Sequence, residues 1–448
     1  MKICVLSGSP KGKYSVTLQT VLFLEKKFES CEFDIIHVGS GIKSLEKDFS
    51  PALEKIKNSD ILLFCYPVYT FTVPCQLHRF IELLKGSGAD LTGKCAAQIT
   101  TSMHFYDTTA NNFIRENCAD MSLRYLGCLP SGMEDLLTEK GQNEAVSFWK
   151  TVLWRYENAI CEPALIYSKN EVPPYTASLE NTSKEGGKPA VIVTTLEEGD
   201  ADLQAMIEDF RNVYPHETRV VNLNQFPFKG GCLGCLNCAV NGKCVYKDGF
   251  EDFLRNEIQT ASAIIYAFKI KDHSMGARMK MYDDRQFCNG HRTVTSGMPV
   301  GYIVYGDLAN EPNLRMIIEG RADVGGNYLA GVATDKKGII DLAKTLDFAL
   351  QNNLGLPQSF LGVGGMKIFR DLIWKMQGMM KADHAYYKEH GLYDFPQKEK
   401  ATVLKMKLVG ALVSNQTIKK KMGANMMNEG MLMPYRKLFE KISPESEK

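Results

Sequence analysis

A turn rich in glycine and hydroxyl groups reads Ser7-Gly8-Ser9-Pro10-Lys11-Gly12-Lys13-Tyr14-Ser15-Val16-Thr17. It follows an apolar run from Lys2 to Leu6, typical of a buried strand, and leads into a helical pattern from Val16 to Phe28. Such a turn offers an anion backbone N–H groups, the positive end of a helix dipole and side-chain donors. We therefore expect a phosphate to bind here, the simpler alternative being a tight turn with a capping serine.

Two common phosphate-binding loops do not match this turn. A P-loop has four residues between its first glycine and a Gly-Lys-Ser/Thr sequence, whereas three separate Gly8 from Gly12 and Tyr14 follows Lys13. A dinucleotide-binding loop needs G-x-G-x-x-G, which neither this turn nor Gly39-Ser40-Gly41 contains. Hydroxyl groups at a helix start favour the phosphate of a mononucleotide instead.

Short apolar strands and helical patterns alternate over the first 165 residues and resume at Ala190, after a stretch rich in Ser, Thr, Pro and Gly. This alternation predicts an α/β fold with parallel sheets. With an offset of 202 residues, Ile61-Leu62-Leu63-Phe64 falls on Ala263-Ile264-Ile265-Tyr266. A spacing of about 200 residues suits duplicated domains and not a solenoid. We interpret the halves as an internal duplication, the alternative being two unrelated α/β domains.

Two further loops follow predicted strands of the first half. One reads Tyr66-Pro67-Val68-Tyr69-Thr70-Phe71-Thr72-Val73-Pro74, and the other reads Thr101-Ser102-Met103-His104-Phe105-Tyr106-Asp107. Ligands of an open parallel sheet bind at the carboxyl ends of the strands, so both loops are expected to face the phosphate turn. The first offers a rigid backbone and aromatic faces for a planar ring, and the second offers polar groups for its edge.

The phosphate turn, the Tyr66 loop and the segment Pro74-Cys75-Gln76-Leu77-His78-Arg79-Phe80-Ile81 closely resemble the flavodoxin-like NAD(P)H-dependent FMN reductases. The resemblance covers residues 1 to about 120 well and the second half weakly. Together with the duplication it implies two tandem flavodoxin-like, doubly wound, parallel five-stranded sheets with a helical C-terminal extension. The expected parts are an FMN-binding domain (1–167), a linker (168–188), a degenerate domain with a four-cysteine loop (189–355) and a tail (356–448).

The resemblance also implies which residues hold FMN, with NAD(P)H as the electron donor. The phosphate would be bound by Ser7, Ser9, Lys11, Ser15 and Thr17 of the turn, which also contains Pro10 and Val16. The ring would lie along Pro67, Val68, Tyr69 and Thr70, and its polar edge would meet Thr101, Ser102 and His104.

His104 and Tyr106 are the candidate catalytic residues. Histidine titrates near neutral pH and tyrosine can relay a proton, so either side chain could protonate a reduced substrate. The alternative is that both residues only pack against the flavin.

Thirteen cysteines occur in a chain whose first residues predict a strand and a turn rather than a signal peptide. We therefore expect the reducing cytoplasm, and core thiols for nine scattered cysteines such as Cys4, Cys65 and Cys95. No apolar stretch reaches the length of about 18 residues that a membrane span requires.

The other four cysteines form the pattern C-x2-C-x2-C-x5-C at Cys232, Cys235, Cys238 and Cys244. This compact spacing favours a [4Fe–4S] cluster over a structural zinc site, whose cysteine pairs usually lie well apart. Free thiols kept as loop structure are the further alternative. The segment from Cys232 to Asp248 resembles the cysteine loop of the iron–sulfur flavoproteins, which implies a [4Fe–4S] cluster bound by these four residues.

Each half of the chain lacks the predicted cofactor-binding residues that the other half contains. At the phosphate position of the second half stands Thr194-Thr195-Leu196-Glu197-Glu198-Gly199-Asp200, whose acids would repel a phosphate, and Lys269 and Lys271 replace Pro67 and Tyr69. In turn, residues 39–60 of the first half contain no cysteine. We infer a fused pseudo-dimer in which the flavin of one half faces the cluster of the other.

The charge is divided along the chain. The net charge of +1 argues against a nucleic-acid partner, but residues 356–448 contain 16 Lys and Arg against 9 Asp and Glu, with 10 of the 20 Met. This helical tail is expected to pack on the core or on a second subunit, giving a homodimer. The alternative is that it binds an anionic membrane surface or a partner.

The sequence as a whole predicts a cytoplasmic flavin-dependent oxidoreductase. Electrons would pass between NAD(P)H or a ferredoxin-like donor, FMN, the cluster and an unidentified small-molecule or protein acceptor. The alternatives are a quinone- or azo-type reductase with a structural cysteine loop, and a non-catalytic electron carrier or redox sensor.

Overall fold

The computed structural model describes residues 1–165, 170–414, 432–433 and 435–440. The chain divides into two compact units, Met1–Tyr387 and Lys388–Lys448. The first unit contains two parallel five-stranded sheets, as predicted.

The first sheet has the strand order β2-β1-β3-β4-β5, the order of a flavodoxin-like fold. Its strands are β1 (Lys2–Ser7), β2 (Glu32–Ile36), β3 (Ile61–Pro67), β4 (Cys95–Ser102) and β5 (Arg124–Gly132). Its helices are α1 (Val16–Lys27), α2 (Val38–Lys47), α3 (Ser50–Lys57), α4 (Cys75–Gly86), α5 (Asp107–Asp120) and α6 (Glu139–Glu157).

The second sheet repeats this order as β7-β6-β8-β9-β10. Its strands are β6 (Glu185–Thr194), β7 (His216–Asn222), β8 (Ile264–Lys269), β9 (Pro299–Tyr305) and β10 (Tyr328–Ala333). The helices are α7 (Ala201–Val213), α8 (Asn237–Asn241), α9 (Phe250–Phe253), a π-helical turn (Leu254–Ile258), α10 (Gly276–Arg285), α11 (Pro312–Gly325) and α12 (Lys336–Asn352).

Both sheets are buried on their two faces because helices cover each side. Along β1, Cys4 and Leu6 belong to one apolar cluster while Ile3 and Val5 belong to another. This alternation explains why the strands read as continuous apolar runs in the sequence.

The turn after the third strand of each half is built alike at an offset of 202 residues. Tyr69 pairs with Thr72 in the first half, and Lys271 pairs with Ser274 in the second. The residues between them have positive φ values in both halves, 40° and 71° for Thr70 and Phe71 and 52° and 61° for Asp272 and His273. The backbone therefore retains the repeat even where the side chains have changed.

Several elements differ from what the sequence predicts. Helix α2 was not expected, because Gly39 and Gly41 weaken its helical pattern. The apolar run Leu123–Leu126 predicts a short fifth strand, but β5 continues to Gly132. The tail pattern predicts one helix from Lys367 to Lys381, but a turn that contains Gly378 divides this segment.

The tail contains α13 (Phe360–Lys375), α14 (Lys381–Glu389) and α15 (Lys400–Ser414). Helix α13 packs against α11 of the second half. The helix predicted over 417–428 lies outside the described residues, and of that predicted over 431–442 only 432–433 and 435–440 are described. Within the described part of the chain, no helix has the length and apolarity needed to cross a membrane.

Candidate functional site

A cavity of about 290 Å³ lies at the carboxyl ends of β1, β3 and β4. This is the edge of a doubly wound sheet where ligands bind. Eleven of the fourteen residues predicted to bind the cofactor line the cavity: Ser9, Lys11, Ser15, Val16, Thr17, Pro67, Val68, Tyr69, Thr70, Thr101 and Ser102. The three predicted loops therefore meet around one space.

The phosphate turn is held open at the start of α1. Ser15 is the N-cap of this helix, and its hydroxyl accepts a hydrogen bond from the Leu18 N–H at 3.4 Å. Gly12 has a φ of +55°, and Gly39 of α2 lies so close to the turn that a Cβ would overlap the Ser9 backbone. Gly39, which forms no dinucleotide motif, thus allows α2 to support the turn.

The hydroxyl groups of the turn are buried, and the loops join beneath the cavity. The side chains of Ser9, Ser15 and Thr17 are almost fully buried, and Thr17 Oγ1 lies 2.6 Å from Thr101 Oγ1. This contact links the phosphate turn to the loop after β4.

The Tyr69 turn is held by the second half of the molecule. The buried Lys280 of α10 donates hydrogen bonds to the carbonyl oxygens of Tyr69 at 2.7 Å and Thr70 at 3.2 Å. Thr70 Oγ1 is buried beside the cavity and has no hydrogen-bond partner among the residues that the structure describes.

The residues present fit FMN. An N-terminal helix turn with three buried hydroxyls and a lysine suits a phosphate. The Pro67–Thr70 segment offers apolar and aromatic surface for the ring, and the unpartnered Thr70 hydroxyl offers a polar contact.

Four predicted site residues of the first half do not line the cavity. Ser7 and Pro10 are buried beside the turn but do not line the cavity. His104 is largely exposed, with Nδ1 2.8 Å from Asp107 Oδ2. The Tyr106 hydroxyl donates to the Leu361 carbonyl at 3.1 Å, and the Tyr106 ring packs on Phe71. Neither His104 nor Tyr106 lines the cavity, and their catalytic role stays a prediction.

The cysteine loop of the second half forms the opposite wall of the same cavity. Cys232, Cys235, Cys238 and Cys244 all line it. Gly234, between the first two cysteines, has a φ of +61°, and a Cβ at this position would overlap the Tyr69 hydroxyl. The loop therefore reaches the predicted ring-binding residue of the other half.

Arg285 clamps both ends of the cysteine loop. Its guanidinium donates to the Gly230 carbonyl at 2.8 Å and to both carboxylate oxygens of Asp248 at 2.8 Å. It also lies over the Tyr246 ring, 4.3 Å from its centroid. Burial alone would raise the pKa of Asp248, but hydrogen bonds from Arg285 lower it to about 2.

The four thiols share the wall without forming a metal-ion site. No three His, Cys, Asp or Glu side chains among the described residues lie close enough together to hold a metal ion. A structural zinc needs all four sulfurs about 2.3 Å from one ion, which this arrangement does not provide. This arrangement supports neither the zinc site nor the [4Fe–4S] cluster considered from the cysteine spacing, and the cluster stays a prediction. Burial raises the pKa of Cys232 to about 12 and of Cys238 to about 11.

Among the nine scattered cysteines, seven are buried as expected for core thiols. Cys161 is exposed and Cys128 is partly buried, so the expectation was wrong for Cys161. The buried Cys288 also lines the cavity, which its position in the sequence did not indicate.

Sequence reasoning missed the roof of the cavity. Helix α13 and the turn after it contribute apolar side chains, and the segment after α10 contributes an aromatic and an imidazole ring; these residues are Ile368, Phe369, Leu372, Met376, Met380, Phe287 and His291. The Met-rich composition of the tail was the one sequence signal for this roof, and composition alone does not show where the tail lies in the structure.

Ion pairs form at the corresponding loops of the second half. Lys269 lies 4.0 Å from Asp200, and Lys271 lies 3.6 Å from Glu82 of the first half. Asp200 belongs to the segment that replaces the phosphate turn, and the loss of a flavin site in this half stays a prediction.

Comparison with known proteins concerns the first half. Residues 1–113 match the family model described as NADPH-dependent FMN reductase, which confirms the resemblance over that segment. No curated protein matches the chain.

Several solved structures are similar to about a third of the chain. An NADH:FMN oxidoreductase in its apo form has 19% identity and a TM-score of 0.30, covering 36% of this chain and 91% of that one. An FMN-dependent NADH-azoreductase from Bacillus anthracis has 10% sequence identity and a TM-score of 0.27, and the match covers 36% of this chain and 99% of that one. An NAD(P)H:quinone oxidoreductase from Methanothermobacter marburgensis has 12% identity and a TM-score of 0.28, and the match covers 36% of this chain and 98% of that one.

Proposed function

We propose that the chain is an FMN-dependent NAD(P)H oxidoreductase with one flavin site, located in the cavity of the first half. The observation that carries the proposal is the meeting of the phosphate turn, the Tyr69 turn and the polar β4 loop around one cavity. The family match over residues 1–113 supports it.

The chain's own residues would act in three ways. Lys11 and the hydroxyls of Ser15 and Thr17 would hold the phosphate at the start of α1, while Tyr69 and its neighbours would position the ring. Helix α13 would exclude water from the side of the cavity that it covers. FMN, when bound, supplies exchange between two-electron and one-electron chemistry.

Flavin content and turnover test this proposal together. We expect about one FMN per chain and steady oxidation of NADH or NADPH with artificial acceptors. Two FMN per chain would contradict the single site. One FMN without turnover with either pyridine nucleotide would favour the electron-carrier or redox-sensor alternative.

A second candidate function adds electron transfer through a [4Fe–4S] cluster bound by Cys232, Cys235, Cys238 and Cys244. All four thiols line the cavity proposed for the flavin, and Arg285 closes their loop at both ends. A cluster at this wall would exchange single electrons with the flavin. A ferredoxin-like protein could then serve as donor or acceptor.

Iron analysis of anaerobically purified protein tests the cluster. We expect about four irons per chain and a broad visible absorption beneath the flavin bands. Cys235→Ser should lower the iron content, whereas the control Cys4→Ser in the core of the first sheet should not. Full flavin turnover without iron would favour the quinone- or azo-type reductase with a structural cysteine loop.

Two coarser predictions belong to the same proposal. A homodimer formed through the tail predicts twice the chain mass in light scattering of the full-length protein. A cytoplasmic location predicts that the protein appears in the cytoplasmic fraction of its cell.

A further inference from the structure

His291 stands between the proposed flavin cavity and a second, smaller one. It lines the cavity of about 290 Å³ and also an adjoining cavity of about 130 Å³, here called the inner cavity, whose wall includes Phe105 of the first half and Arg321 of the second. Phe287 and Phe369 pack edge-on against its ring, with centroid distances of 5.3 and 4.8 Å. The imidazole is therefore held in one place between two spaces.

A buried carboxylate orients this imidazole. Asp383 of α14 has a fully buried side chain, and its Oδ2 lies 2.8 Å from His291 Nδ1 and 3.1 Å from the His291 backbone nitrogen. Gly290 has a φ of +63°, and a Cβ there would overlap the Asp383 carboxylate. With Nδ1 engaged, Nε2 is the ring nitrogen left to exchange a proton.

The other charged and titratable groups near this pair come from three elements. Arg292 lies 3.8 Å from Asp383 Oδ1, the Tyr387 hydroxyl donates to the His291 carbonyl at 3.3 Å, and Cys288 precedes Gly290 in the same segment. In the cysteine loop, burial and then the nearby Asp383 carboxylate raise the pKa of the Cys238 thiol. Arg292 is the permanently charged cation of this group and faces the buried Asp383 carboxylate.

The inner cavity is polar enough to hold water. Its lining includes the ion pair between Arg321 and Asp283, 2.5 Å apart, and the Gln286 side chain, whose buried Nε2 has no hydrogen-bond partner in the described part of the chain. Unpaired polar groups of this kind are usually satisfied by ordered water. Water there would contact the His291 side of the cavity wall and could return a proton to the ring.

We propose that His291, oriented by Asp383, is the proton donor for substrates reduced in the flavin cavity, and that the inner cavity supplies its replacement proton. This inference rests on the proposed function. In the step, the acceptor gains a hydride from the reduced cofactor and a proton from His291 Nε2, so the two-electron reduction balances. The neutral imidazole then regains a proton from water. Asp383 acts as a positioning residue.

Two acceptors distinguish this role from a structural one. Menadione requires protons for its two-electron reduction, whereas ferricyanide accepts an electron and requires none. We expect His291→Gln to lower the ratio of the menadione rate to the ferricyanide rate by about 100-fold, as is usual for loss of a general acid. The matched control is His216→Gln, which removes another histidine paired with a carboxylate, 2.8 Å from Asp347 and away from both cavities.

His104→Gln tests the prediction made from the sequence. A fall in the ratio in this variant but not in His291→Gln would overturn the inference in favour of His104. Absence of NAD(P)H oxidation by the unmodified protein with either acceptor would instead contradict the proposed function.

A measurement on flavin-free protein is independent of turnover. Nitrogen NMR of labelled histidine should show a changed Nδ1 signal of His291 in Asp383→Asn, because Asp383 Oδ2 lies 2.8 Å from this nitrogen. In the flavin-loaded variant, the ratio of the menadione rate to the ferricyanide rate should fall, as in His291→Gln. An unchanged Nδ1 signal would overturn the positioning role of Asp383, and FMN binding measured by fluorescence verifies that each variant is folded.

Discussion

Glu82 and Asp284 each cap the helix on which the other residue lies. The Glu82 carboxylate of α4 accepts a hydrogen bond from the Ala277 N–H of α10 at 2.8 Å, and the Asp284 carboxylate of α10 accepts one from the Cys75 N–H of α4 at 2.8 Å. Both donors and both acceptors are related by the same offset of 202 residues. The halves of the chain therefore meet as two subunits of a symmetric dimer would.

Replacement of Asp284 and replacement of Glu82 by alanine should destabilise the protein by different amounts. Asp284 and Lys280 are fully buried and form an ion pair. Asp284→Ala leaves the buried Lys280 ammonium with only the more distant Asp283 carboxylate, at 3.9 Å, and should destabilise the protein by about 3–5 kcal/mol. Glu82→Ala mainly removes a helix cap and should cost about 1 kcal/mol. Urea unfolding measures both, and the half-exposed Glu319 provides a control, Glu319→Ala, expected within about 0.5 kcal/mol. Equal effects of Asp284→Ala and the control would contradict this account.

A second contact between the halves should make stability depend on pH. His273 lies between Asp120 at 3.0 Å and Glu311 at 2.8 Å. Burial alone would lower the pKa of His273, but these carboxylates raise it to about 9 from 6.5. The stabilisation is therefore complete below about pH 6.5 and is lost as the pH rises through 9, by about 2–3 kcal/mol.

Unfolding midpoints between pH 6 and 9.5 test this dependence. His273→Gln should be much less stable than the unmodified protein at pH 6 and similar to it at pH 9.5. Burial also raises the pKa of the nearby Glu116 to about 7, so a separate loss of stability between about pH 4.5 and 7 should persist in the variant. The exposed His37, changed to Gln, is the control, and a difference independent of pH for His273→Gln would refute the assignment.

The Arg285 clamp should control access to the cysteines. Arg285→Met leaves Asp248 buried without its partner and should destabilise the protein by about 3–5 kcal/mol. Once the loop opens, the thiols become less buried and should react faster with a disulfide reagent in protein as purified. Arg315→Met, at a half-exposed pair with Glu319, is the control. Unchanged thiol reactivity in Arg285→Met would show that the loop is held by other contacts.

Two lysines of the phosphate turn allow a matched comparison. Both lysines are exposed, but Lys11 lines the cavity and Lys13 does not. Lys11→Met should weaken FMN binding by about 10–100-fold, since a hydrogen bond to a charged group contributes about 1.5–3 kcal/mol. Lys13→Met should change it less than threefold. Quenching of flavin fluorescence gives both dissociation constants, and equal effects would remove Lys11 from the site.

Local patterns predicted much of the fold and one wall of the site. Apolar runs alternating with helices indicated the parallel sheets, and the offset of 202 residues indicated the repeat. The hydroxyl-rich turn and the Tyr69 loop indicated a cofactor edge. These features depend on residues close in sequence, where the backbone geometry of strands, turns and helix starts limits what a pattern can form.

Helix α2 shows where local patterns fail, because Gly39 is explained by its contact with the Ser9 backbone and not by helix propensity. The roles of Asp248 and Arg285 depend likewise on side chains brought together from the cysteine loop and the end of α10.

The sequence by itself determined the fold class, the repeat and the three loops of the first half, since each is encoded within one strand, turn and helix. Only the tertiary structure decided that the cysteine loop faces those loops, that α13 covers them, and that His291 meets Asp383. These contacts join residues 92 or more positions apart. Their geometry results from the packing of two domains and a tail, and no local sequence pattern determines that packing.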